Sequence, residues 1–255
     1  MLRAMLLVFI AVVMAMPVHG QRRRDRGPRS PVDHKAYNVE YFGDYTFVRI
    51  RYSEGFDGRF SRNPGWAHDY PRAERNFSRI VNEITNIQMR MDGSNILTLD
   101  DPELYRYPIA YLSEPGYWTM SPAEEEGLRS YLLKGGFMIV DDFAGRGHWS
   151  NFASQVAQVL PELRLVKLDA THPIFNAFFA IETLDDFVPP YGYEKPEFWG
   201  LFENNDPDGR LLMIANYNND IGDYWEFSDT GWLPIDLSNE AYKLGVNYLV
   251  YAMTR

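Results

Sequence analysis

The sequence predicts an α/β domain in three layers, a parallel β-sheet with helices on both faces. Three observations predict it. Short β-rich runs alternate with segments of helical periodicity through most of the chain, the pattern of strands joined by crossover helices. Two of those runs, FMIV at 137–140 and LLMIA at 211–215, are apolar without interruption, as strands covered on both faces must be. The third is the junction GGFMIVDDF, Gly135 to Phe143, where a glycine pair ends a helix and the strand that follows finishes on two carboxylates. Ligands of open α/β sheets gather at the carboxyl ends of the strands, so this junction also organises the search for a site.

Taken in order, residues 1–20 have a basic start at Arg3, an apolar run from Ala4 to Met16 and a Val18-His19-Gly20 ending. This is the three-part pattern of a secretory signal peptide, and the run is short for a membrane span. Residues 21–36 hold Arg22, Arg23, Arg24, Arg26 and Arg29 among Gly and Pro. They read as a basic, solvated, flexible linker, or as a tail for anionic lipid, cell-wall polymer or an acidic partner. The folded domain is expected over 37–255. The whole chain carries a formal charge of −10, but six of its 25 basic and one of its 35 acidic residues precede Val32, which leaves −15 on the rest. So acidic a domain argues against a nucleic-acid partner, which needs a basic footprint. The chain has no cysteine, which excludes disulfides, a thiolate nucleophile and Cys-ligated zinc. Export without disulfides fits a periplasmic or secreted protein of the bacterial envelope that does not span the membrane once the signal is cleaved.

Within the domain, YTFVRIR at 45–51 alternates as a first strand. The aperiodic stretch 52–70 reads as a long loop leaving its carboxyl end. Ala73, Phe77, Ile80, Val81 and Ile84 then share a helix face. Ile87–Met91 and Ile109–Leu112 are the expected second and third strands. Ser121 as cap, Pro122 at the first helical position and Glu124 completing a capping box start the next helix, which runs into the central strand. Phe152, Val156, Val159 and Leu160 mark another helix, stopped by Pro161. Leu163–Leu168 and 211–215 supply two more strands. A last helix follows a cap at Ser238. Residues 185–205 break the alternation and are expected to be an ordered, aromatic-rich insertion.

Several strings together resemble a known group. LLKGGFMIVDD, then His172-Pro173-Ile174, then LLMIANYNND are similar to the class I glutamine amidotransferase-like fold and its trehalose-utilisation (ThuA-like) branch. YTFVRIRY, HDYPRAERNF, YLSEPG, GGFMIVDDF, HPIF and AYKLGVNYLVYA resemble still more closely one bacterial family, domain of unknown function 4159, over about Phe42 to Thr254. The resemblance implies a flavodoxin-like sheet and no established activity. Amidotransferases place a nucleophilic cysteine in the sharp turn after the strand that corresponds to 137–140. Here Asp141-Asp142-Phe143 stands in that place, so glutamine hydrolysis through a thioester is excluded.

The candidate site residues are assembled on that edge. Successive strand side chains point to opposite faces, and Asp142, nearer the turn, is the one expected to face a pocket as general base or as metal ligand. Asp141 is a binding candidate. A purely structural carboxylate, accepting amides of the following turn, is the alternative for both. Glu114 ends its strand in Ser-Glu-Pro-Gly and converges with Asp142 if the two strands are neighbours; otherwise it stabilises the turn. His148 is the histidine best placed for acid–base work, with a plain surface histidine as the alternative. Trp66, His68, Asp69 and Tyr70 close the long first loop; His68 is a further candidate acid or base there, while Asp69 favours the helix start electrostatically. In the resemblance, His172 helps shape the site region; packing is its plainer role. Asp220 belongs to an Asn- and Asp-rich string, ANYNNDIGD, that lacks calcium-loop spacing and is explained by Asx turns. Arg49 and Arg51 share a strand face and are expected to pair with these acids, with binding of an anion as the alternative. No HxH or HxxxH pair supports zinc, and no GxSxG, GxGxxG or P-loop is present. No cofactor is expected, with a divalent cation as the one possibility.

Two functions follow from this reading. The first is a non-catalytic binding or assembly module of the envelope, holding a glycan, polymer or protein on an acidic rim with exposed aromatics Trp66, Tyr117, Trp118 and Trp149. The second is a carboxylate-dependent hydrolase acting on a carbohydrate-like substrate through Asp142, Glu114 and His148.

Overall fold

The computed structural model describes residues 37–54, 64–192 and 194–254. The expected signal peptide, the basic linker and residues 55–63 of the first loop lie outside the described residues. The strands are β1 (Val48–Ile50), β2 (Ser53–Glu54), β3 (Asn95–Leu97), β4 (Ile109–Ser113), β5 (Trp118–Thr119), β6 (Phe137–Phe143), β7 (Leu165–Leu168), β8 (Glu197–Phe202) and β9 (Leu211–Tyr217). The helices are α1 (Arg72–Ile84), α2 (Pro122–Leu133), α3 (Gly145–Val159), α4 (Ile221–Glu226) and α5 (Ile235–Thr254).

Seven strands form one sheet in the order β3-β1-β4-β6-β9-β8-β7. The pairs β1–β3, β1–β4, β4–β6 and β6–β9 are parallel. β8 runs antiparallel to both β9 and β7. The five strands β1, β3, β4, β6 and β9 therefore stand in the order 2-1-3-4-5, which is the flavodoxin-like arrangement. β2 and β5 make a separate antiparallel ribbon beside the carboxyl edge.

Strand alternation divides the core. Ile109, Tyr111, Phe137, Ile139 and Ile214 pack on one face with Phe77 and Val81 of α1 and Leu244 and Tyr248 of α5. Ala110, Leu112, Met138 and Val140 pack on the other with Leu128 and Leu132 of α2 and Phe152 and Val156 of α3. Each such side chain contributes about 1.5–3 kcal/mol by leaving water. The α2 start follows its sequence signals: the Ser121 hydroxyl accepts the Glu124 amide at 3.3 Å and Glu124 Oε2 accepts the Ser121 amide at 2.8 Å. Gly135, at φ +116°, makes the turn from α2 into β6.

Besides the short β2–β5 ribbon, for which the sequence reading has loop, four elements differ from that reading. The second strand is Asn95–Leu97; of 87–91, Met89 makes only an isolated parallel bridge to Tyr45. The expected insertion at 185–205 contains β8, a full strand of the sheet. ENNDPDGR at 203–210 is the turn of a β8–β9 hairpin, closed by Glu203 N donating to Arg210 O at 2.9 Å, and its Asn, Pro and Gly content signals such a turn. α5 starts at Ile235; the Ser238 amide and hydroxyl both bond back to Pro234 O, so Ser238 lies inside the first turn. α4 has no apolar period long enough to announce it and is started by its cap, Asp220, which accepts the Asp223 amide at 2.9 Å.

At the β3 border of the sheet, Asn38 does the work of a strand. Its Oδ1 accepts the Ile96 amide at 2.8 Å and its Nδ2 donates to the Ile96 carbonyl at 3.0 Å. Among the described residues no helix is long and apolar enough to cross a membrane.

Candidate functional site

The site is built where β1, β4 and β6 end. On β6, Asp141 shares the face of Ile139 and is fully buried. Its Oδ2 accepts the Tyr111 hydroxyl at 2.9 Å and the amides of Ile221 and Gly222 at 2.9 and 3.0 Å. Its Oδ1 accepts Asn216 Nδ2 at 2.9 Å, and Asn216 in turn accepts the Tyr248 hydroxyl at 2.8 Å. Burial pushes this carboxyl up while Asn216, Tyr111 and the two amides pull it down. The network joins β4, β6, β9, α4 and α5, so the alternative stated for this carboxylate, a structural acceptor of amides, is what the geometry shows. The amides come from α4 rather than from the helix that directly follows β6.

Asp142 leaves the regular strand geometry. The β6–β9 register shifts between Val140 and Phe143, and Asp142 sits at φ +60°, a left-handed conformation uncommon for a residue with a Cβ. Glu114, the first residue past β4, is at φ +48°, and Asp69 at +64°. Three non-glycine carboxylate residues in that conformation thus meet on one sheet edge, and such outliers concentrate at functional sites. Backbone contacts hold them. Glu114 N donates to Asp141 O at 3.1 Å and Glu114 O accepts the Tyr52 hydroxyl at 2.6 Å. Asp69 O accepts the amides of Arg72 and Ala73, both at 2.9 Å, which starts α1.

His68 completes the edge. It follows the 3-10 turn Gly65–Ala67, which is anchored from beneath by the fully buried Arg49: its Nη1 donates to Trp66 O at 3.0 Å and its Nε pairs with Glu74 of α1. His68 Nδ1 pairs with the Glu114 carboxylate. One ligand-type atom each from His68, Glu114 and Asp142 lies within 4.8 Å of the others. Ser113 donates to Asp142 Oδ2 at 3.3 Å. Beside this triad, Asp69, Asp220 and Asp223 form a second set with the same mutual spacing, and the Tyr191 hydroxyl bonds to Asp223.

The electrostatics follow from crowding. The hydrogen bond to Glu114 raises the His68 pKa, so the imidazole leans toward its charged form. Burial, then the charge of Glu114, pushes Asp142 well above the usual carboxylate range. Burial and Asp142 do the same to Asp69, against the pull of Arg49, and burial with Asp142 and Asp69 raises Asp220. The arrangement places Asp142, whose carboxyl burial and Glu114 push toward its neutral form, beside Glu114 paired with His68. That combination can donate and accept a proton at one point.

The sequence profile of the family described as Domain of unknown function (DUF4159) matches residues 46–253. The chain belongs to this family. No curated protein matches the chain. The matched span of this DUF4159 domain contains His68, Asp69, Glu114, Asp142 and Asp220.

The other residues named from the sequence stand elsewhere. His148, in the first turn of α3, lies edge-on to the Tyr117 ring with centroids 4.8 Å apart and is not one of the three mutually close groups; His68 takes the position proposed for it. His172 is at the opposite edge. Its Nδ1 accepts the Ile174 amide at 3.3 Å and its ring packs on Phe202 and Tyr251, and Phe202 pairs with Leu211, the first residue of β9. The reversed direction of β8 puts it there, so His172 packs and does not line this site. Tyr70 is partly buried against the core on the α2–α3 side of the sheet. Trp66 and Trp118, expected on an exposed rim, are 4% and 0% exposed; both rings belong to the core beneath the edge because the turns that carry them fold inward. Trp149 is partly buried among Phe143, Trp199 and Tyr217, and of the four aromatics Tyr117 alone is half exposed. Arg49 pairs with Glu74 rather than with the ANYNND acids. Asp223, Tyr111 and Tyr191 were not picked out as site residues. The alternation of β4 placed Tyr111 and Asp141 on one face, a signal available in the sequence.

Proposed function

We propose that this DUF4159 chain is an exported, periplasmic or secreted, carboxylate-dependent hydrolase acting on a carbohydrate-like substrate. One observation carries the reading: the carboxyl groups of Glu114 and Asp142, from adjacent strands, meet the imidazole of His68 within 4.8 Å. Asp142 in its protonated form is the acid that protonates the leaving group. Glu114, oriented by His68, is the base that takes a proton from the attacking water. We also assign the domain to the class I glutamine amidotransferase-like, ThuA-like group. The 2-1-3-4-5 strand order supports that assignment, as does the position of Asp141-Asp142 where that class turns sharply after its central strand.

A second reading, an envelope module that binds a glycan, polymer or protein without turning it over, is favoured by the half-exposed Tyr117 at the lip. It is weakened by the burial of Trp66 and Trp118. Both are decided by one experiment on the full chain, with a panel of chromogenic glycosides and envelope polysaccharides. The hydrolase reading expects turnover that Asp142→Asn and Glu114→Gln each lower by about 100-fold or more, with the circular dichroism unchanged. Retention of a glycan with no cleavage by the wild type selects the binding module instead.

A further inference from the structure

We infer that His68, Glu114 and Asp142 hold one divalent cation of the manganese class. The inference deepens the hydrolytic reading by naming a cofactor, and it rests on that reading for the use of the ion but not for its binding. With the ion bound, Asp142 and Glu114 are ionised ligands and His68 is neutral, so the acid and base roles given above belong to the ion-free chain.

The three donors come from three separate elements, the turn before α1 and the ends of β4 and β6, and their ligand atoms are close enough to share one ion. Two carboxylate oxygens and one imidazole nitrogen form a mixed hard and borderline set. Such a set suits manganese or iron(II) better than calcium, which takes six to eight oxygens. A single imidazole without thiolates is a poor match to a structural zinc site. Three protein donors leave coordination positions for water or a substrate oxygen.

The surroundings are acidic. Around the triad stand Asp69, Asp141, Asp220 and Asp223, and Arg49 binds Glu74 and the Trp66 carbonyl with its Nη2 left unpartnered among the described residues. Asp69 Oδ2 is buried and has no hydrogen-bond partner among the described residues, but it belongs to the second set of acids and not to the triad. The second set is the poorer host. Asp220 caps α4, Asp223 accepts the Tyr191 hydroxyl, and both are buried. The triad residues are each partly exposed, so an ion can reach them.

The test is a titration of the chelator-stripped full chain with manganese(II), following the free ion by electron paramagnetic resonance. One ion per chain is expected, with affinity lowered at least about tenfold in each of Glu114→Gln, Asp142→Asn and His68→Ala and unchanged in His148→Ala. Circular dichroism identifies any variant that fails to fold, and the remaining two then decide. Absence of saturable uptake at millimolar manganese(II), or uptake that all folded triad variants retain, overturns the inference. Hydrolysis that survives the chelator without ion binding would remove the cation and leave the acid–base reading standing. Ion binding without hydrolysis of any substrate would do the reverse.

Discussion

Asp141 and Asp142 are neighbours in sequence and opposites in circumstance. The first has four donors, two side chains and two α4 amides, and a place on the α1–α5 side of the sheet. The second has one long hydrogen bond from Ser113 and a crowd of other acids. A carboxylate that is buried and fully satisfied is architecture; one that is crowded and under-satisfied stays available for chemistry. The same contrast separates His172, packed between rings at the amino edge, from His68, held by a carboxylate at the carboxyl edge.

The comparison can be broken at the Asp141 end first. Asp141→Ala strands four donors, two of them amides at the start of α4, and is expected to cost about 3–5 kcal/mol in urea unfolding. A loss below about 1 kcal/mol, the size of an ordinary surface substitution or a little more, would show that the network holds nothing together. Next comes Gly222→Ala. An added Cβ would meet Asp69 Oδ2 at 2.5 Å and Tyr111 Oη at 2.7 Å, an overpacking expected to cost about 1–3 kcal/mol, read from the thermal midpoint. At the other carboxylate, Asp142→Asn is expected to change stability by less than about 1 kcal/mol while removing turnover. A large destabilisation there would make the two residues alike.

The smallest effect is a slope. Asp220 is raised by burial and by Asp142 and Asp69, so in the native state it keeps a proton that the unfolded chain releases near its ordinary pKa of about 3.9. Its contribution is complete below that value and is lost as pH rises through the raised native one. Asn is as good a helix cap as Asp. Asp220→Asn should therefore unfold with a flatter dependence between mildly acidic and neutral pH than the wild type, and an identical slope would remove Asp220 from the acidic field.

Much of this contrast was legible before any coordinates. The neighbourhood of β4 and β6 brings Glu114 toward Asp142, whereas the alternation expected to separate Asp141 from Asp142 is suspended by the register shift after Val140. The capping box at Ser121 and Glu124 announced α2 because its chemistry is local. His68 was legible as a candidate acid or base but not as the better placed of the two histidines: His148 is near Asp142 in sequence, while His68 arrives from a loop whose path depends on the buried Arg49 pairing with Glu74. Nor was β8, whose aromatic string has no helix before it and whose direction is fixed by the hairpin to β9. What failed in each case was a long-range pairing that no window of sequence contains. The fate of Trp66 and Trp118 was decided likewise, by turns that fold their rings under the edge.

Asn38 precedes the span 46–253 by which the family is recognised, yet its amide group occupies both hydrogen-bonding positions of Ile96. A domain trimmed to the recognised span would leave that ladder bare, and an uncovered border of this kind invites strands from other molecules. The guard against sticky self-association is thus a single side chain standing outside the domain's nominal limits.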